Sequence, residues 1–204
     1  MRLMIAIPTG DRVRWEFCES LANLCKRLAE DGVEFDVRFH EGSAVYMARE
    51  QLAVAAINEQ YTHILWLDSD MAFTPDLFYI LKGLNEPFVT CVYRSRRPPY
   101  AICLFDNLVA GTRLPKMPEG LFEVDGCGFG VVLMETDVAA KVHRQYLTCF
   151  EPMEGMGEDM AFCRRWRLMN GKIYSHSDAV ADHGCNIRLR MSDVERLISY
   201  VEQR

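Results

Sequence analysis

The chain predicts a single α/β domain built on a mostly parallel sheet, and three observations carry that prediction. Short apolar or β-rich runs at 3–8, 33–39 and 63–67 are separated by segments with helical spacing. The resulting order β-α-β-α-β calls for parallel strands joined by crossover helices in a doubly wound sheet. Nothing in the 204 residues divides them: there is no repeat, low-complexity tract or linker, so one domain spanning 1–204 with a real core is expected.

Each element has its own reason. The run 3–8 ends in the turn Pro8-Thr9-Gly10 and reads as a short buried strand. Leu21, Leu24, Cys25 and Leu28 recur at helical spacing, and Asp31-Gly32 closes that helix. The stretch 44–58 reads as a second helix with Leu52, Ala55 and Ala56 inward, and 63–67 as a central strand. Thr74-Pro75-Asp76 carries an N-cap hydroxyl, a proline at the first helical position and an acid in the first turn. Strands follow at 88–93, 121–124 and 130–134, the last two flanking Gly126-Cys127-Gly128-Phe129-Gly130. Between 94 and 120, prolines at 98, 99, 115 and 118 indicate loops with a short antiparallel excursion. A helix runs from Thr136 to about Tyr146, and another over 158–169 with Phe162, Trp166 and Met169 on one face. Ser192-Asp193-Val194-Glu195 is a capping box that opens a last helix.

Composition narrows the function. Half the residues are apolar and a quarter charged, and no apolar run reaches the roughly 18 residues of a membrane span. The opening run is too short for a signal peptide and lacks a cleavage pattern. Eight cysteines include no C-x-x-C pair and several lie in apolar segments, so reduced thiols in a cytoplasmic protein are expected rather than a zinc site or disulfide framework. A net charge of −6 argues against a general polyanion binder, although arginines cluster at 94, 96 and 97 and again at 164, 165, 167, 188 and 190.

The chemistry concentrates at Asp68-Ser69-Asp70, which follows the apolar run Ile64-Leu65-Trp66-Leu67. Two carboxylates just past a buried strand place hard oxygen ligands at the carboxyl edge of a sheet, where open α/β sheets bind their ligands. Mg²⁺ or Mn²⁺ takes oxygen ligands together with substrate phosphates. D-x-D alone is common in surface turns; here a second acidic pair, Glu158-Asp159, and a late His183 follow in order.

Together these residues resemble the GT-A fold glycosyltransferases, in particular small bacterial and bacteriophage members of the family-2-like superfamily. The resemblance covers nearly the whole chain and rests on the segments at 5–10, Arg49, 65–71, 93–99, 125–128, 157–163 and Asp182-His183. It implies a Rossmann-like, mostly parallel sheet flanked by helices. It also implies roles for residues: Pro8, Thr9 and Gly10 against the base and ribose of a nucleotide-sugar donor, and Arg49 against the diphosphate, where the residues alone leave Arg49 open between that contact and a helix surface charge. Asp68, Ser69 and Asp70 would hold donor and metal, and Gly126, Cys127 and Gly128 would pass close to the donor sugar. Asp70 and His183, with Asp68 through ribose or metal-bound water, would hold Mn²⁺ (or Mg²⁺), which neutralises a diphosphate leaving group. Asp159, or else Glu158, would serve as the base for an acceptor hydroxyl. At the first turn of a helix Asp159 is expected to be held ionised by the dipole.

UDP is the expected nucleotide, inversion at the anomeric carbon the expected outcome, and the acceptor is open. A modified DNA base is one candidate, with Arg94, Arg96, Arg97, Arg188 and Arg190 as a phosphate-tracking rim. The segments 94–120 and 150–157 are candidate lids, with Gly155 and Gly157 as hinges. Two rival classes stand beside this one. A nucleotidyltransferase also uses a sheet-edge D-x-D, but Pro8-Thr9-Gly10-Asp11-Arg12 supplies no glycine-rich, lysine-bearing loop. The other is a non-catalytic nucleotide-binding domain. The sequence says nothing of oligomeric state.

Overall fold

The computed structural model describes residues 1–42 and 44–184. In chain order they form β1 (Arg2–Thr9), α1 (Trp15–Glu30), β2 (Glu34–Glu41), α2 (Val45–Asn58), β3 (His63–Leu67), β4 (Met71–Ala72), α3 (Asp76–Gly83), β5 (Phe88–Val92), β6 (Leu104–Asn107), β7 (Thr112–Arg113), β8 (Leu121–Val124), β9 (Gly126–Cys127), β10 (Val131–Glu135), α4 (Thr136–Tyr146), α5 (Glu158–Leu168), β11 (Ile173–Val180) and β12 (Asp182–His183). Arg188, Arg190 and the helix expected from Ser192 lie outside the described residues.

Seven strands make the central sheet in the order β2-β1-β3-β10-β5-β11-β8. β2, β1 and β3 are mutually parallel, as are β5 and β11, while β10 runs antiparallel to both its neighbours and β8 antiparallel to β11. The expected mostly parallel sheet is therefore present, with one reversed strand inside it. Alternation along the strands sorts the core into two layers. Leu3, Ile5 and Ile7 of β1 and Leu65 and Leu67 of β3 face Phe17, Leu24 and Leu28 of α1 and Leu77, Phe78 and Leu81 of α3. Met4, Ala6, Ile64 and Trp66 face Leu52, Ala53 and Ala56 of α2, Val138 and Val142 of α4, and Phe162 of α5.

Several details differ from the sequence reading. The Thr74 hydroxyl does not cap α3; the Leu77 N–H goes instead to the Thr74 carbonyl, 3.1 Å away. The antiparallel excursion after β5 is a three-stranded sheet ordered β7-β6-β9. β11 is a strand that the sequence did not announce, and it sits between β5 and β8. Its hydroxyl-rich run survives burial because Ser175 Oγ donates to the Thr90 carbonyl at 2.9 Å.

Two features aim the fold at one place. β1 has β2 on one side and β3 on the other, so the crossovers diverge at its carboxyl end and open a crevice there. β4 pairs antiparallel with β12, Met71 opposite His183 and Ala72 opposite Asp182. That short ladder returns the chain to the D-x-D turn.

Candidate functional site

A cleft of about 1480 Å³ lies over the carboxyl ends of β1 and β3. Pro8, Thr9, Gly10, Arg49, Asp68, Ser69, Asp70, Gly128, Glu158, Asp159 and His183 all line it, with Arg96 and Arg97 on the loop above. Most of the expected site residues thus meet in one cavity. Gly126 and Cys127 do not: Cys127 packs into the core with its sulfur 4.0 Å from that of Cys163, and a side chain at Gly126 would strike Leu108. Of that glycine-rich run, Gly128 reaches the cleft. Arg94 directs its guanidinium to the Tyr100 carbonyl, 2.9 Å away, rather than into the cavity.

The floor is a buried ionic cluster. Arg49 is only 3% exposed, so it is neither a helix-surface charge nor free to swing. Its Nη2 donates to Asp68 Oδ1 at 2.9 Å, its Nη1 to the Phe129 carbonyl at 3.4 Å, and its Nε lies 3.6 Å from Glu158 Oε1. The guanidinium also stands over the Phe129 ring, 5.2 Å from its centroid. Burial works against the Arg49 charge, but Asp68, Glu158 and Asp159 outweigh it and raise its pKa. Burial lifts Asp68 above the ordinary carboxylate range, with Arg49 pulling the other way.

Asp159 occupies the first turn of α5 beside Glu158. Its pKa is pushed up to about 6, first by burial and then by the Glu158 charge. Desolvation thus overrides the helix dipole that the sequence reading relied on, although at pH 7 the group is still mainly ionised. Such a carboxylate sits near the value suited to general-base work at neutral pH.

Asp70 and His183 meet at the cleft's edge through the β4–β12 ladder. His183 Nε2 is 3.4 Å from Asp70 Oδ2, and His183 Nδ1 is 3.0 Å from the Arg94 carbonyl. A carbonyl only accepts, so Nδ1 carries a proton; a second proton on Nε2 makes an imidazolium that donates to Asp70, and loss of that proton leaves the Nε2 lone pair on the Asp70 side. A backbone oxygen that fixes the distal nitrogen in this way is the usual support of a metal-binding histidine. Arg96 Nη1 also pairs with Asp70 Oδ2. Burial tends to raise Asp70, but His183 and Arg96 outweigh it and hold the carboxyl below its ordinary value; the hydrogen bond to Asp70 raises His183. An oxygen and an imidazole nitrogen facing one another suit Mn²⁺.

Tyr93, just past β5, is a site residue to which sequence reasoning gave no role. Its buried phenol oxygen accepts the Gly130 N–H at 3.0 Å, and its ring meets that of His183 edge-on with centroids 5.5 Å apart. A Cβ at Gly128 would lie 2.2 Å from that oxygen, and one at Gly130 2.7 Å from the ring. The glycines at 128 and 130 are therefore required by close approach to Tyr93. Arg14, Cys103, Phe105 and Arg113 also line the cleft without a sequence signal. A second group of metal-capable side chains, Glu50, His143 and Cys149, lies apart from this cavity.

No protein-family model matches the chain, and no curated protein matches it in sequence. Solved structures do. A197 from STIV is similar with a TM-score of 0.59 and 18% identity over 93% of this chain and 97% of that one. GalNAc-T7, solved with UDP, GalNAc and Mn²⁺, is similar with a TM-score of 0.58 and 9% identity. There the match covers 92% of this chain but only 44% of the larger protein. The chain therefore has a mixed α/β fold of the glycosyltransferase-like, GT-A kind.

Proposed function

We propose that this protein is a metal-dependent glycosyltransferase that moves a sugar from a nucleoside-diphosphate donor, UDP-linked in the first instance, to an acceptor hydroxyl. The observation that carries this reading is the juxtaposition of Asp70 Oδ2 and the backbone-oriented His183 Nε2, 3.4 Å apart, at the crevice where β1 and β3 end. The fold likeness to a protein solved with UDP and Mn²⁺ supports it.

Pro8, Thr9 and Gly10 hold the nucleoside, with Asp68 at the ribose or a metal-bound water. Gly128 gives the donor sugar room. Asp70 and His183 would hold Mn²⁺, whose positive charge would offset the negative charge that builds on the departing diphosphate. Arg96 is placed to add a second cation there. The acceptor hydroxyl gives its proton to Asp159 as its oxygen bonds to the anomeric carbon, from the face opposite the breaking bond to the diphosphate, and the centre inverts. Glu158, tied to Arg49, orients the acceptor. Arg96 and Arg97 line the mouth and give an anionic acceptor, modified DNA among them, a place to rest.

Thermal stability with a panel of nucleoside diphosphates, with and without Mn²⁺, tests the donor half. One nucleotide is expected to raise the melting temperature only with Mn²⁺, and Asp70→Ala to abolish that shift. No shift with any nucleotide overturns the metal-dependent reading. Product configuration by NMR tests inversion.

A further inference from the structure

On the α2–α4 side of the molecule, Glu50 of α2, His143 of α4 and Cys149 just beyond α4 bring their ligand atoms within 4.8 Å of one another. Glu50 Oε2 accepts three hydrogen bonds: from Thr148 Oγ1 at 3.0 Å, the Cys149 N–H at 2.8 Å and the Phe150 N–H at 2.7 Å. Those donors fix the carboxylate, while its Oε1 lies on the His143 side. There Oε1 lies 3.4 Å from His143 Nδ1, a buried nitrogen with no hydrogen-bond partner among the described residues.

That separation is long for a hydrogen bond. It matches the edge, roughly 3.3 Å, of a tetrahedron whose corners sit about 2.0–2.1 Å from a zinc ion. The third corner is Cys149, fully buried, its sulfur donating to the Ala139 carbonyl at 3.4 Å. Burial, with the Glu50 charge adding to it, raises the pKa of the Cys149 thiol against the weaker pull of Arg165, which donates to the Cys149 carbonyl at 3.0 Å, so without metal the sulfur keeps its proton. The His143 side chain is 38% exposed at ring atoms other than Nδ1, which puts the site just beneath the surface.

We propose that Glu50, His143 and Cys149 form a second metal site, of the zinc class, with three protein ligands and one open position. A thiolate and an imidazole select Zn²⁺ over Mn²⁺ or Mg²⁺, so the two sites take different ions. Bound metal ties α2 to α4 and to the start of the segment that leads to Asp159, so its role is to hold that connection in place. Metal enters as the Cys149 thiol gives its proton to solvent.

The test uses chelator-treated full-length protein titrated with Co²⁺. One equivalent is expected to produce a thiolate-to-cobalt charge-transfer band that Zn²⁺ displaces. Asp70→Ala should leave the band intact, which separates this site from the cleft, which Cys103 lines. Cys149→Ser should remove the band, and His143→Ala, on a half-exposed helix face, should keep the fold and weaken Co²⁺ binding at least tenfold. No band at one equivalent overturns the proposal. So does a band that persists undiminished in Cys149→Ser and His143→Ala, which would mark adventitious binding at other thiols.

Discussion

The two carboxylates of one D-x-D turn stand in different worlds. Asp68 belongs to the floor, where its partner Arg49 is sealed beneath Phe129 and Phe150 and is shared with Glu158. Asp70 belongs to the rim, where its partner Arg96 is 58% exposed on a loop and can leave. A buried pair is a fixed element of the fold, whereas an exposed one is exchangeable. Asp68 is therefore held by a partner built into the fold, whereas the Arg96 partner of Asp70 can be exchanged, as the proposed metal role of Asp70 requires.

The sharpest way to break that contrast is Arg49→Met. It leaves Asp68 and Glu158, both part-exposed, without their shared buried cation, and unfolding in denaturant is expected to become easier by about 1–3 kcal/mol. A loss under 1 kcal/mol would place the floor among ordinary surface pairs. Asp159→Asn should reduce turnover about 10²–10⁴-fold yet stabilise the protein. Because the native carboxyl is raised to about 6, ionising it costs stability as pH rises from near 4 through 6. The variant should thus be more stable at pH 8 by at most about 3 kcal/mol, and equal to the parent near pH 4. In the parent, turnover should fall as pH drops below about 6. A variant no more stable at pH 8 than at pH 4, relative to the parent, would show that Asp159 is not strained by burial.

Gly128→Ala sharpens the view of Tyr93. The added methyl meets the phenol oxygen at 2.2 Å, so a destabilisation of about 1–3 kcal/mol is expected. Tyr93→Phe should relieve part of it, because the clash is with the oxygen. Arg96→Ala is the smallest change. Melting should shift by less than the equivalent of 1 kcal/mol, since the pair is mostly exposed. Mn²⁺ affinity, followed by its electron paramagnetic resonance signal, should rise because the ion no longer competes with a guanidinium for Asp70. Weaker Mn²⁺ binding would make Arg96 a helper rather than a competitor.

What the sequence made legible was local. The apolar run ending at Asp68 and the acids opening α5 each announce themselves within a few residues, because strand period and helix polarity are written in adjacent side chains. Relations across the sheet were not legible. The strand β10 was recognisable as a strand, but nothing in its residues says that it inserts backward between β3 and β5. β11 was missed because Tyr174, Ser175, His176 and Ser177 dilute its apolar alternation, and the hydroxyl's partner comes from another strand. Arg49 looked undecided for the same reason: its burial depends on Asp68, Glu158 and two phenylalanines that are distant in sequence. The Glu50, His143 and Cys149 group escaped a search for C-x-x-C, since it holds a single cysteine and joins α2 to the end of α4 and the loop after it.

The four-residue ladder between β4 and β12 has a consequence in time. His183 is synthesised more than a hundred positions after Asp70, and its seat is set by a pairing so short that one step of slippage turns the imidazole to the opposite face. The sheet from β1 through β11 is made before that pairing exists. A chain can thus bury its core and still lack its proposed metal pair, so in the proposed reading donor binding depends on a pairing made later than the sheet that supports it.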